Sequence, residues 1–161
     1  GIVEALHGVE KPVLPLHWEI EFPEVFGARK NPGFDAMVGN PPFAGSVNLF
    51  DGGRDGYTDW LRQRNDGSGG KTDLVAYFFR VAFFLLRDHA CMGLLATNTI
   101  AQGDTRESGL LQICRHGGRV FSAHRRMTWP GQAKVVVTVV HIVKARATGF
   151  CELDGVRVGC R

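Results

Sequence analysis

The chain has 161 residues, 44% of them apolar and 22% charged, which supports one domain with a real core and excludes wholesale disorder or a two-domain assembly. A formal net charge of +3 permits a polyanionic partner without demanding one. Cys91, Cys114, Cys151 and Cys160 form no C-x-x-C pair, and the six histidines show no ligand spacing with them, so the chain reads as reduced and cytoplasmic, with no metal site.

In chain order, the opening "GIVEALHGVE" lacks both Met and a basic-then-apolar leader, as expected of a fragment with no signal peptide. Pro12, Pro15 and Pro23 interrupt the next segment, which predicts a short helix and then an extended stretch in which Trp18, Ile20 and Phe22 alternate. "NPGF", residues 31–34, is a turn signal with Gly33 at positive φ. "FDAMVG", residues 34–39, is a short apolar run bounded by glycine, which predicts a buried parallel strand. Asn40-Pro41-Pro42-Phe43 then stands at the strand's carboxyl end. Neither proline can donate a ladder hydrogen bond, so pairing stops there. An amide and an aromatic ring are left on a stiff corner, at the edge where open α/β sheets bind ligands.

Residues 44–70 form a long polar excursion with a helical patch, "YTDWLRQR"; its "GSGG" has no strand before it and no Gly-Lys-Ser/Thr after it, and reads as a flexible linker. Residues 71–89 predict a helix capped by Thr72 or Asp73 and apolar nearly all round, so that it must be covered on most sides. Interrupted by Arg80, this stretch falls short of the roughly 20 apolar residues that cross a bilayer. A second buried strand over residues 91–98 completes a strand, helix, strand crossover. A polar loop from Gln102 to Thr105 leads into a helix that ends at Gly117 and Gly118. "RVFSAH" is the next strand, "RRMTWPG" turns the chain, and residues 133–145 form a long β-branched strand antiparallel to it. "GFCELDGVRVGC" is a hairpin around "DG". Arg115, Arg119, Arg125, Arg126 and Lys134 gather in the last third, either as a solvated face or as a phosphate-contacting one. The fold class is α/β, a mostly parallel sheet ending in an antiparallel strand pair.

For a nucleobase with an exocyclic amine, the Asn40 side-chain oxygen accepts one N–H, the Pro41 carbonyl a second, and Phe43 stacks on the ring. Two acceptors on one amine favour the tetrahedral nitrogen with an exposed lone pair that a nucleophilic amine must become.

"NPPF" resembles the Asp/Asn-Pro-Pro-aromatic motif of S-adenosylmethionine-dependent amino methyltransferases, chiefly the adenine-N6 DNA enzymes. The segments "FPEVF…GFDAMVGNPPF", "GLLATNTIAQGDTRESGL" and "TWPGQAKVVVTVVHIVK" follow in the order seen in the methylase part of Type IIG-like restriction-modification proteins. The resemblance implies the C-terminal half of a Rossmann-like class I methyltransferase fold, with residues 1–146 as the catalytic-motif half and 147–161 as the start of a following region. It implies that Asn40, Pro41, Pro42 and Phe43 are catalytic, that Trp129 is a second aromatic against a base flipped out of double-stranded DNA, and that Asn98, Gln102 and Arg106 line the substrate site. Asp104 has no assigned role.

Two features of such enzymes do not occur in this sequence: the glycine-rich loop for the cofactor's methionine part and the acidic residue for its ribose. The cofactor-binding half is therefore expected upstream. The same motif also serves enzymes acting on RNA or on a protein glutamine, and a non-catalytic DNA-binding module is a further alternative.

Overall fold

The computed structural model describes residues 16–27, 29–42, 57–129, 135–145 and 149–159. The chain divides into two compact units, Gly1–Gly33 and Phe34–Arg161.

In the first unit the expected extended segment is helical: α1 (Trp18–Glu21) and α2 (Pro23–Phe26) follow one another. The alternation of Trp18, Ile20 and Phe22 misleads because Trp18 and Phe22 are also four apart, and their rings stack at 5.8 Å, a helical neighbour spacing. Pro23 starts α2 at the position where a missing N–H costs nothing. The turn before Phe34 is as expected, with Gly33 at φ 124° and its N–H on the Val25 carbonyl at 3.2 Å.

The second unit is a six-stranded sheet with helices α3 (Tyr57–Arg64), α4 (Leu74–Leu85) and α5, which runs through Gly103–Arg106, a π-helical turn at Glu107–Leu111 and Gln112–Arg115. The strands are β1 (Phe34–Gly39), β2 (Leu86–Ala96), β3 (Arg119–Thr128), β4 (Val136–Val143), β5 (Phe150–Leu153) and β6 (Val156–Gly159), in the order β1-β2-β4-β3-β5-β6. β1 is parallel to β2 and β3 to β5, while β4 is antiparallel to both β2 and β3, and β6 to β5. Four strands therefore share one direction, and the antiparallel β3–β4 pair is as the sequence predicts.

One face of the sheet carries the core. Met92, Leu94 and Ala96 on β2 sit opposite Ile142, Val140 and Thr138 on β4, and all six are buried. Val75, Phe79, Ala82 and Phe83 of α4 and Ile113 of α5 close over them. Phe79 and Phe83 are fully buried, worth about 1.5–3 kcal/mol each.

Asp73 caps α4 by accepting the Val75 N–H at 3.1 Å. Its other carboxylate oxygen accepts the Thr99 hydroxyl at 3.2 Å, across the 3₁₀ turn Asn98–Ala101 that follows β2.

Several expectations are corrected. The helix predicted to reach His89 stops at Leu85, and β2 begins at the next residue and ends at Ala96 rather than Asn98. β1 is parallel but not buried: it is an edge strand of the sheet, with Val38 91% exposed. α4 is not covered all round either, since Phe78, Val81 and Phe84 are exposed on one side. The "GSGG" stretch is packed rather than a free linker: Gly69 N–H bonds the Ser108 hydroxyl at 3.1 Å, and Lys71 N–H the Asp104 carboxylate at 2.9 Å. β3 runs on through Arg125–Thr128, the first four residues expected to turn, and Cys151 is disulfide-bonded, in contrast to the reduced chain expected. The α5 terminus matches expectation: Gly117 at φ 87° and Gly118 donate to the carbonyls of Cys114 and Ile113 at 3.2 and 2.9 Å, a Schellman motif. The short N-terminal helix predicted ahead of the extended stretch lies outside the described residues.

Asp73→Ala is expected to destabilise the protein by about 1–2 kcal/mol in urea unfolding, through loss of the cap and of the Thr99 bond; a change within a few tenths would remove the cap from the account. A methyl group at Gly118 would lie 2.5 Å from Ile113 Cγ2 and 2.7 Å from Phe83 Cε2. Gly118→Ala should therefore cost about 1–3 kcal/mol by overpacking, read in the same experiment.

Candidate active site

Strand direction decides which residues meet. The carboxyl ends of β1, β2, β3 and β5 lie on one edge of the sheet, together with the amino end of β4. Asn40, Pro41 and Pro42 follow β1; Asn98 and Gln102 follow β2; Trp129 follows β3; and Asp154 follows β5. Asn40 and Pro42 are exposed and Pro41 is half-buried, so the amide stands clear of the core. Phe43 lies outside the described residues.

A polar cavity of about 520 Å³ opens on this edge, lined by Asn98, Gln102, Arg125, Arg126, Thr138 and Asp154, with Ala101 beside them. The Thr138 hydroxyl donates to the Asn98 side-chain oxygen at 2.9 Å, which fixes the amide against β4. Ala96 pairs with Thr138 in the sheet, so the strand register itself brings Asn98 and Thr138 together.

The far wall is a clamp between β3 and the β5–β6 turn. Asp154 Oδ1 accepts the Arg125 backbone N–H at 2.7 Å, and Oδ2 accepts Nε and Nη2 of its guanidinium at 2.9 and 2.8 Å. The Asp154 N–H in turn reaches the Ala123 carbonyl at 2.9 Å. Asp154 and Gly155 both have positive φ, 53° and 80°, the two-residue turn that an Asp-Gly pair favours. The Arg125 amide and then its side chain hold the Asp154 carboxyl below the usual carboxylate range.

The remaining predicted positions separate. Trp129 is 37% exposed at the end of β3, its N–H on the Val135 carbonyl at 2.9 Å. Arg106 is exposed on α5 and does not line the cavity. Its charge acts on Cys114, whose thiol is pushed up by burial and drawn partly back by a bond with the Val120 backbone and then by the Arg106 charge. Asp104 receives a structural role, accepting the Lys71 N–H.

Thr138 and Asp154 are the wall residues that sequence reasoning misses. "DG" marks the hairpin, but nothing local in the sequence joins Asp154 to an arginine 29 residues earlier. Among the described residues, no three His, Cys, Asp or Glu side chains group as a metal would need, and no helix is long and apolar enough to cross a membrane.

Residues 5–112, more than half of the chain, match the model of a family described as "Eco57I restriction-modification methylase". The chain belongs to the Eco57I restriction-modification methylase family. Among solved structures, this methylase-family chain is similar to the Type IIL restriction-modification enzyme MmeI in complex with DNA, with a TM-score of 0.59 and 19% identity over 76% of this chain and 18% of that one. It is also similar to the DrdV–DNA complex, with a TM-score of 0.51 and 16% identity over 76% of this chain and 15% of that one. Both likenesses are of fold, and the chain spans less than a fifth of either enzyme's length. A search of curated proteins finds no match.

Because the Asp154 carboxyl is depressed in the folded state, its contribution to stability is complete above the ordinary aspartate value of about 3.9 and is lost as pH falls through the lower folded value. An NMR titration should show the Asp154 carboxyl moving at lower pH than free aspartate, and Arg125→Ala, which removes the guanidinium and keeps the backbone N–H, should raise the midpoint part of the way toward the ordinary range. A midpoint unchanged by Arg125→Ala would break the clamp account.

Proposed function

We propose that the chain is the catalytic-motif half of an adenine-N6 DNA methyltransferase within a restriction-modification or phage-defence polypeptide, with S-adenosylmethionine as methyl donor. The observation that carries this reading is the place of Asn40-Pro41-Pro42: the carboxyl end of a parallel strand, in a chain of a restriction-modification methylase family. That MmeI and DrdV were solved as DNA complexes supports duplex DNA over RNA or protein as the substrate.

On this reading Asn40 Oδ1 and the Pro41 carbonyl accept the two N–H bonds of the adenine amine, and Pro42 keeps the backbone from closing back into the sheet. The amine is drawn toward a pyramidal nitrogen whose lone pair faces the methyl donor. Phe43 and Trp129 supply stacking faces for a base turned out of the duplex. Asn98, held by Thr138, and Gln102 offer side-chain amides to the same nucleotide.

S-adenosylmethionine supplies the methyl group when bound. The described residues of β1 do not fit its methionine and ribose parts, because the exposed side chains along the strand include apolar Ala36 and Val38, and the sequence contains no Asp/Asn-Pro-x-x-Gly-x-Gly stretch. Those contacts, and the reading of DNA sequence, are assigned to segments of the parent polypeptide outside this sheet. The isolated chain is expected to bind the cofactor weakly or not at all, and to be inactive.

The test is methylation of adenine in duplex oligonucleotides by the parent polypeptide. Asn40→Ala should lower kcat by about 100-fold or more, the usual cost of losing a group that acts in the transition state, while DNA affinity changes little. Unchanged turnover would remove Asn40 from the site. Methylation of RNA or a protein glutamine in preference to DNA would change the substrate and keep the amine chemistry.

A further inference from the structure

We propose that Arg126 is a seat for one backbone phosphodiester of the bound nucleic acid, placed in the cavity by a local distortion of β3. The proposal rests on the DNA reading of the function.

The distortion comes first. β3 shifts register against β4 twice, first between Val120 and Ser122 and again between His124↔Val139 and Met127↔Val137, and Arg125 and Arg126 lie in the second bulge. Bulges re-aim side chains and recur beside functional sites. Within this bulge Arg126 has φ 54°. That conformation is uncommon for a residue that is not Gly, Asn or Asp, and glycine would adopt it without strain. A long cationic side chain kept where glycine is favoured points to a use for the side chain.

The chemistry of the cavity names that use. Arg125 and Asp154 are bound to each other, so their charges offset. Arg126 is exposed and forms no hydrogen bond or ion pair among the described residues. Among the described residues that line it, the cavity therefore carries one uncommitted positive charge, with the amides of Asn98 and Gln102 as further donors and no carboxylate free to repel an anion. One positive charge beside neutral donors matches a singly charged phosphodiester. The cavity also shares its sheet edge with Asn40 and Trp129, which makes a polynucleotide strand rather than a small free phosphate its natural occupant.

The experiment measures duplex binding by the parent polypeptide as salt concentration is varied. Arg126→Ala and Arg126→Gly should each lower the slope of log K against log salt by about 0.9, the share of one neutralised phosphate, and Arg126→Lys should retain it. The glycine variant tolerates the local backbone, so a matching loss in it separates a lost contact from a damaged fold. In a duplex with single neutral methylphosphonate linkages, one position should abolish the difference between wild type and Arg126→Gly. An unchanged slope in both variants, or no such position, overturns the proposal. Inorganic phosphate at constant ionic strength is the control: if it binds wild type and not Arg126→Gly while the DNA slopes agree, the seat takes free phosphate and the polynucleotide assignment fails. A methylation assay of the polypeptide with Asn40 intact separates this from the methylation reading. A protein that methylates no adenine yet shows the Arg126 slope change keeps the seat and loses the proposed function; adenine methylation with unchanged slopes does the reverse.

Discussion

The organisation of this protein depends on one strand running against its neighbours. β4 lies between β2 and β3 and opposes both, hydrogen-bonding along each of its sides. Placed there, its amino end comes to the edge where β1, β2, β3 and β5 deliver their carboxyl ends. The cavity wall is a consequence: Thr138 meets Asn98 because β4 enters the sheet beside the exit of β2. A parallel β4 would present its other end at this edge and leave Asn98 without that partner.

The core enforces the arrangement by alternation. The even-numbered residues from Ala90 to Ala96 of β2 and from Thr138 to Ile142 of β4 are buried, so a one-residue slip would exchange this set, including Met92, Leu94, Val140 and Ile142, for residues such as Gly93 and His141. Register is thus fixed by burial, and burial in turn fixes which side chains stand at the strand ends. Arg80 extends this frame to the turn before α4: its buried guanidinium donates to the Asp66 and Ser108 carbonyls at 2.9 and 3.3 Å. Burial lowers the arginine's pKa, against the pull of Asp66.

The features legible in the sequence were carried by short-range chemistry. The strand at residues 34–39, the Asp73 cap, the Gly117–Gly118 terminus and the Asp-Gly hairpin each announce themselves within a few residues. The boundary between α4 and β2 does not, because no turn residue marks it and "RDH" after an apolar run resembles the polar end of a helix. The bulge at Arg125 and Arg126 is hidden for another reason. Two adjacent arginines before "MTWPG" read as a turn, whereas long-range pairing with Val137 and Val136 carries the strand onward through Met127 and Thr128. At the site, the motif at Asn40 was visible as a resemblance; the Asp154 wall required knowing that β5 pairs parallel to β3.

The absence of any connecting residue between Leu85 and Leu86 has a further consequence. Helix and strand form one continuous out-and-back path, and Asp73 at its start is bonded to Thr99 just past its finish. The path is a closed ring of fixed circumference. Adding or deleting a residue within α4, or within β2 from Cys91 onward, would misalign the two ends by a rise of roughly 1.5 Å in the helix or 3.3 Å in the strand, a mismatch left to the irregular stretch of β2 between Leu86 and Cys91, where the register against β1 shifts and His89 has φ 65°. Length variation in this part of the chain is therefore confined to the outside of the ring or to that irregular stretch, and the spacing from Asp73 to Thr99 becomes a ruler against which any variant sequence can be measured.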